Sequence, residues 1–370
     1  MPQVAHQRDL RCAIIWGNTA KPDIAGSLTA VDFDKTTSIT ALTSQALPVE
    51  GFTYFNRDIK TRRVNRQTGK RHRSTLDTWN DTKGSTPGVT LSMPATKETL
   101  DLFLAMAFQR VTEGATTPFV KAYAYPDATQ TSWSAGRYPD FEADEGHFCG
   151  LVMQSNGVTF ANYEEIMVGC VPTQLRITCA SDEHDGQLWL EADMIGRFLD
   201  MDAYTGTVTA ASVEPSNLFH INDLGVRTIL DTATVPIYGF GFTIDTGLRF
   251  VPFGGTGGGG STNLVMSGPH TSGFVDFLAD DTGLSPYTLL RDGVYATGQF
   301  SNASNQIAWG DGTTDAAGDL DFTWRGQATA ENCVPVGNEE TRFRWNFDCA
   351  EYSSNDAFKV NFANALDRGW

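Results

Sequence analysis

The chain has 370 residues, 41% of them hydrophobic, which is enough for a sizeable core and allows two domains or one large β architecture. Its 27 Lys and Arg stand against 44 Asp and Glu, a formal charge of −17, which excludes a surface that grips nucleic acid throughout, since neutralising phosphates needs positive charge. Thirty-six Gly and 43 Thr against only 8 Lys favour strands and tight turns over long helices.

In chain order, the first apolar run is Cys12–Trp16, too short for a signal-peptide core and followed by no small-residue cleavage site, so the chain is expected to fold where it is made. The longest apolar run, Leu102–Phe108, is seven residues and cannot form a transmembrane helix. Between them lies a basic stretch over 57–73, with Arg57, Lys60, Arg62, Arg63, Arg66, Lys70, Arg71 and Arg73 against a single acid, Asp58. It carries +7, so the rest of the chain, with 19 basic and 43 acidic residues, carries −24. Gln67-Thr68-Gly69-Lys70 reads as the turn of a long hairpin arm, about 55–89, flanked by Tyr54-Phe55 and Trp79. Three readings are open: a solvated basic loop, a nucleic-acid patch, or a connector between copies. Charge balance favours the third, because a +7 arm on a −24 body finds its best complement on another copy of itself.

After Pro94, which stops a strand, one helix is expected over Thr96–Phe108, with Leu100, Phe103, Leu104 and Ala107 on one face and Thr96 or Thr99 as cap. Apolar and polar residues alternate over Leu175–Cys179 and again over Leu188–Ala192, which predicts a hairpin with a wide loop. The pattern returns at Phe343–Cys349 and Phe358–Phe362, predicting a second hairpin. The run Gly254–Thr262 has phosphate-loop spacing, but Ser261 stands where the lysine must be, so a turn joining two strands is favoured. The carboxylates Asp182, Glu183 and Asp185 around His184, and Asp311, Asp315, Asp319 and Asp321, match no calcium-loop pattern and read as solvated turns. No metal site or cofactor is expected, and no catalytic signature is found; the chain is not read as an enzyme. The cysteines at 12, 149, 170, 179, 333 and 349 form no C-x-x-C pair and read as small buried hydrophobes.

Internal similarity divides the chain. Gly51-Phe52-Thr53 recurs at 241–243, Cys170-Val171-Pro172 at 333–335, and Cys179-Ala180 at 349–350. Leu91-Ser92…Phe103-Leu104-Ala105 is similar to Val265-Met266…Phe277-Leu278-Ala279. These matches are collinear, and their changes of offset fall in loops. They predict two copies of one strand-rich domain, 1–200 with the basic arm and 201–370 with the Gly-rich loop at 254–262 in the equivalent position.

A strand-rich acidic chain with an early long arm, a helix like Thr96–Phe108 and closing hairpins resembles the tail tube proteins (major tail proteins) of long-tailed bacteriophages, in their two-domain form. The residues that carry the likeness are Gly169-Cys170-Val171-Pro172 with Leu175–Thr178, then Gly186–Trp189, Met194–Arg197 and Phe240–Asp245. The resemblance implies a mainly β fold of two tandem β-sandwich domains, each with a flanking helix, whose strands join those of neighbours in an oligomeric β-barrel. It implies trimeric pseudo-hexameric or hexameric rings stacked into a tube, with the eight basic residues named above as the inter-ring arm. The implied partners are the chain itself, the tape measure, tail terminator and tail tip proteins, and double-stranded DNA in passage, with no membrane anchor. The implied location is the virion tail, assembled in the host cytoplasm, and the acid excess would repel the passing genome. Other readings are another virion component, an outer-membrane β-barrel, or a carbohydrate-binding β-sandwich using Trp133, Trp309 and Trp324 as platforms.

Overall fold

The computed structural model describes residues 10–16, 43–50, 55, 60–63, 78–81, 87–125, 147–155, 164–196, 198–200, 208, 211–251, 263–278, 282, 284–292, 303, 305–313, 316–328, 334–336, 342–350 and 357–366. The chain runs through β1 (Leu10–Trp16), β2 (Thr43–Leu47), β3 (Lys60–Arg63), β4 (Thr78–Asp81), β5 (Gly88–Pro94), α1 (Leu100–Phe108), β6 (Val111–Glu113) and β7 (Phe119–Ala124). It continues with β8 (Cys149–Ser155), β9 (Glu164–Ala180), β10 (Trp189–Ile195), β11 (Phe198–Asp200), β12 (Leu224–Thr228), β13 (Ile237–Asp245), β14 (Leu248–Val251) and β15 (Asn263–Met266). It closes with β16 (His270–Leu278), α2 (Leu284–Asp292), β17 (Asn305–Trp309), β18 (Leu320–Trp324), β19 (Gly326–Ala328), β20 (Val334–Val336), β21 (Arg342–Cys349) and β22 (Phe358–Asn364). The protein is mainly β, and two large antiparallel sheets carry it.

The larger sheet has twelve strands and is organised by β9. The N-terminal part of β9 pairs with β8, which leads on to β1 and β2. Its C-terminal part pairs with β10 on one side and β13 on the other, and from there the sheet continues through β16 to β21. The smaller sheet has six strands in the order β12-β17-β18-β22-β7-β6. Aromatic side chains fill the space between the layers. Phe242 of β13 lies 5.2 Å from Phe322, 5.2 Å from Trp324 and 4.9 Å from Phe358 between ring centroids, in the tilted and offset arrangements aromatic pairs prefer. Burying one face of each sheet against the other is the standard solution for two amphipathic layers.

Where the chain reads as an unbroken apolar run, both faces are covered. Cys12 and Ile14 of β1 face the main core, while Ala13 and Ile15 join Phe148, Val152, Ile166, Val168 and Val171 in a second cluster, closed by Leu248 and Met266. Within that short run, Cys12–Ile15 is thus a strand buried on both sides. Four of the five described cysteines, Cys12, Cys149, Cys170 and Cys179, are buried, and Cys349 is half-buried. Burial pushes the Cys12 and Cys179 thiols up to about 12. Cys333 lies outside the described residues.

The expected helix forms, but it has no solvent face. All nine residues of α1 are buried, including Asp101. Lys121 of β7 is also fully buried and reaches Asp101 at 3.0 Å, Glu113 at 3.6 Å and the Asn364 side chain at 3.2 Å. This network ties α1 to β6, β7 and the end of β22. Thr99 is the N-cap residue, yet its backbone N–H is accepted by the Thr96 hydroxyl at 3.2 Å, so both threonines act at the helix start. At the other end Gln109 turns left-handed (φ 56°), donates its side-chain amide to the Met106 carbonyl and accepts from the His147 backbone N–H at 2.8 Å.

Three sequence expectations are corrected. Leu175–Cys179 and Leu188–Ala192 do pair as a hairpin, with Ile177 opposite Leu190. The C-terminal pair does not: β21 joins β16 in the larger sheet, whereas β22 joins β18 and β7 in the smaller. Alternation reports that a strand buries one face; it does not name its partner. Phe343, Trp345 and Phe347 are buried from one layer and Phe358, Val360 and Phe362 from the other. The second concerns α2, which no apolar spacing marks although the resemblance implies a flanking helix in each half; Pro286 sits in its first turn, where proline is tolerated. The third concerns the repeat: the match of Phe103–Ala105 to Phe277–Ala279 sets helix α1 on strand β16. In element order, α2 follows β16 as α1 follows β5, and a two-stranded ribbon precedes each strand. Among the described residues, strand pairing crosses residue 200 at β9 with β13 and at β7 with β22.

Candidate assembly surfaces

The basic arm begins and ends in the core. Phe55 is buried in the main cluster, and Pro87 and Val89 are buried where β5 begins. Between these roots, β3 and β4 pair antiparallel, with Lys60 opposite Asp81, Thr61 opposite Asn80, Arg62 opposite Trp79 and Arg63 opposite Thr78. The pair forms its own two-stranded sheet, outside both large layers. Of the eight predicted arm residues, Lys60, Arg62 and Arg63 are on β3, and Arg57, Arg66, Lys70, Arg71 and Arg73 lie outside the described residues. Tyr54 and the expected turn Gln67–Lys70 also lie outside them.

The second ribbon, β14 with β15, brackets the Gly-rich run 254–262, which itself lies outside the described residues. Its root is fixed by two residues. Thr246 donates its hydroxyl to the Pro172 carbonyl at 2.8 Å and accepts from the Leu248 N–H at 3.2 Å. Gly247 has φ +64°, and a Cβ there would stand 2.3 Å from the Ser267 carbonyl oxygen, so no other residue fits without moving the ribbon.

Over β5, β10, β9, β13, β16 and β21 the outward face of the larger sheet is largely polar. Register aligns Ser92, Glu191, Arg176, Thr243, Ser272 and Asp348 in one row across β5, β10, β9, β13, β16 and β21. Arg176, 45% exposed, makes contacts of 3.2 Å with Glu191 and 3.5 Å with Asp193, and Asp193 also accepts from the Thr90 hydroxyl at 2.6 Å. Arg344 donates from Nε and Nη2 to the two oxygens of Asp276, at 2.7 and 2.6 Å, and lies 4.4 Å over the Phe274 ring. The bidentate bond to Asp276 raises the Arg344 pKa further. The strands holding both arginines were predicted as alternating, but their meeting on one face was missed. The signal was present, since each is a cation at an outward position between buried apolar neighbours. Only the register shows that the two faces are one.

No family model matches the chain, and neither does any curated protein sequence.

The remaining candidates separate. Asp182, Glu183 and Asp185 are exposed on the β9–β10 turn, where the His184 ring stacks on Trp189 at 3.8 Å. Asp311 caps its own turn, and hydrogen bonds from the Thr313 hydroxyl and N–H lower its pKa. Asp319 accepts from the Ala316 N–H at 2.9 Å, and Asp321 is buried beside Asn361. Asp315 lies outside the described residues. Among the described residues no group of three His, Cys, Asp or Glu is placed to hold a metal ion, and no helix is long and apolar enough to cross a membrane. Trp309 and Trp324 are buried between the layers and offer no sugar platform; Trp133 lies outside the described residues.

Proposed function

We propose that the protein is a structural subunit of a virion that assembles with itself into stacked rings, the tail tube through which a phage genome passes. In this reading its two halves are tandem tail-tube-like sandwich domains whose strands complete a barrel with those of neighbouring subunits. The observation that carries the reading is the basic ribbon β3–β4, rooted in the core yet apart from both sheets, on a body of opposite charge. Such an arm is complementary to the acidic surface of a second copy. A contact that joins different surfaces of two copies propagates, giving rings where it closes and filaments where it does not. Tape measure, terminator and tip proteins would meet the tube at its ends, and double-stranded DNA would pass through it.

The outer-membrane alternative requires an apolar band on the outward face. Here the large sheets turn their apolar sides toward each other, and the outward row carries Glu191, Arg176, Thr243 and Asp348. Electron microscopy of the purified protein tests the proposal, with rings or hollow tubes as the expected result. Reversing charge at Arg62, Arg63 and Arg66 to Glu should leave the circular dichroism spectrum unchanged while abolishing stacking. Normal elongation by that variant would remove the arm from the assembly.

A further inference from the structure

We infer, resting on the tube reading, that the outward face of the β5-β10-β9-β13-β16-β21 sheet lines the channel. On this face Arg176 and Arg344 are held by carboxylates of their own chain so that passing duplex DNA meets no available guanidinium. Three features support the assignment. The face is broad, and many outward positions between its charged residues carry small polar groups, Thr90, Ser92, Thr178, Thr243 and Ser272, while Phe274 lies across Gly241 and Trp189 stands beside Thr178. Its charge is one-sided: Glu191, Asp193, Asp245, Asp276 and Asp348 stand against three guanidiniums, those of Arg176, Arg344 and Arg342. All three are already engaged, Arg342 lying 3.2 Å over the Tyr238 ring and 3.9 Å from Asp182. Arg176 spans two carboxylates, and Arg344 meets both oxygens of Asp276 while lying on an aromatic ring.

A free guanidinium is the side chain best shaped to hold a phosphate, through two parallel hydrogen bonds. On a surface that a polyanion must slide past, each such group would be a point of arrest, repeated by every subunit. Pairing each arginine with acids of its own chain leaves a net negative face that repels phosphate. The outer face of the six-stranded sheet differs, presenting Val120, Ala122 and Ala124 along β7, Lys359 opposite Ala124, and Asp321 buried beside Asn361.

Two measurements test the inference on the full chain. Thr243→Cys puts a thiol at the centre of the face. A bulky polyethylene-glycol maleimide should label it readily in dispersed subunits and about tenfold more slowly in assembled tubes, with the wild type giving the background. The variant Glu191→Gln/Asp193→Asn/Asp276→Asn releases Arg176 and Arg344 and leaves Arg342 as it is. It should bind a short fluorescent duplex at low salt about tenfold more tightly than the wild type, and lose the gain as salt is added. Should Asp276→Asn prevent folding, the pair Glu191→Gln/Asp193→Asn, at exposed sites, carries the same expectation for Arg176 alone. Undiminished labelling in tubes would place the face outside and overturn the assignment. Unchanged DNA binding by a folded variant would overturn the role of the clamps. Both failures leave tubes visible in the microscope. Absence of rings and tubes from the wild type is the separate result that removes the assembly reading and this inference with it.

Discussion

Lys121 is the residue on which the first half of the chain is most sharply balanced. It is fully buried and satisfied, among the described residues, by Asp101, Glu113 and Asn364. Removing one member of a buried ion pair leaves its partner's charge without compensation. Lys121→Met should therefore cost ~3–5 kcal/mol in urea unfolding; a loss too small to measure would mean that water reaches Asp101. Asp321 gives a test in pH. Burial raises its pKa, with hydrogen bonds from Gln306 and Asn361 and the charge of Lys359 acting against the rise. A carboxyl that binds its proton more tightly folded than unfolded supports the fold at low pH, and the support is lost as pH rises through the folded-state value. Asp321→Asn should therefore gain in melting temperature over the wild type near neutral pH, and the gain should shrink as pH falls to about 4, the ordinary carboxylate value. An equal difference at both pH values would assign the effect to shape and not to charge.

At the scale of elements, the ribbon β14–β15 depends on one left-handed glycine. Gly247→Ala should cost ~1–3 kcal/mol in thermal unfolding, because backbone strain is joined by a 2.3 Å contact with Ser267. Gly268, also left-handed at φ +60° but with nothing near its missing Cβ, should cost less when changed to Ala. Equal costs would locate the whole penalty in the backbone. Elements were also the scale at which the sequence was most readable. Alternation predicted β9, β10, β21 and β22, because a half-buried strand must alternate whatever its neighbours. Partners were not readable from it, since Phe343–Cys349 and Phe358–Phe362 carry the same pattern in different layers. The helix was found from its apolar spacing, but its burial on every side depends on β7 and β22, distant in sequence. The basic arm was legible because charge density needs no partner to be noticed. The outward face around Arg176 was not, because it exists only once six strands are in register.

For the whole molecule, the decisive quantity is charge separated within one chain, +7 in the arm and −24 elsewhere. Contacts between exposed opposite charges weaken as the screening length shrinks, to ~10 Å at 0.1 M salt and ~3 Å at 1 M. Light scattering during size exclusion should therefore find larger assemblies at low salt than at high salt, and assembly indifferent to ionic strength would exclude an electrostatic connector. The pairings of β9 with β13 and β7 with β22 have a bearing of their own on how the gene can be handled. A cut at residue 200 would yield two polypeptides, each with an orphaned sheet margin, and would separate Lys121 from Asn364 and Phe108 from Phe358. Neither piece should be soluble by itself, and co-expression should restore both, as in a split reporter.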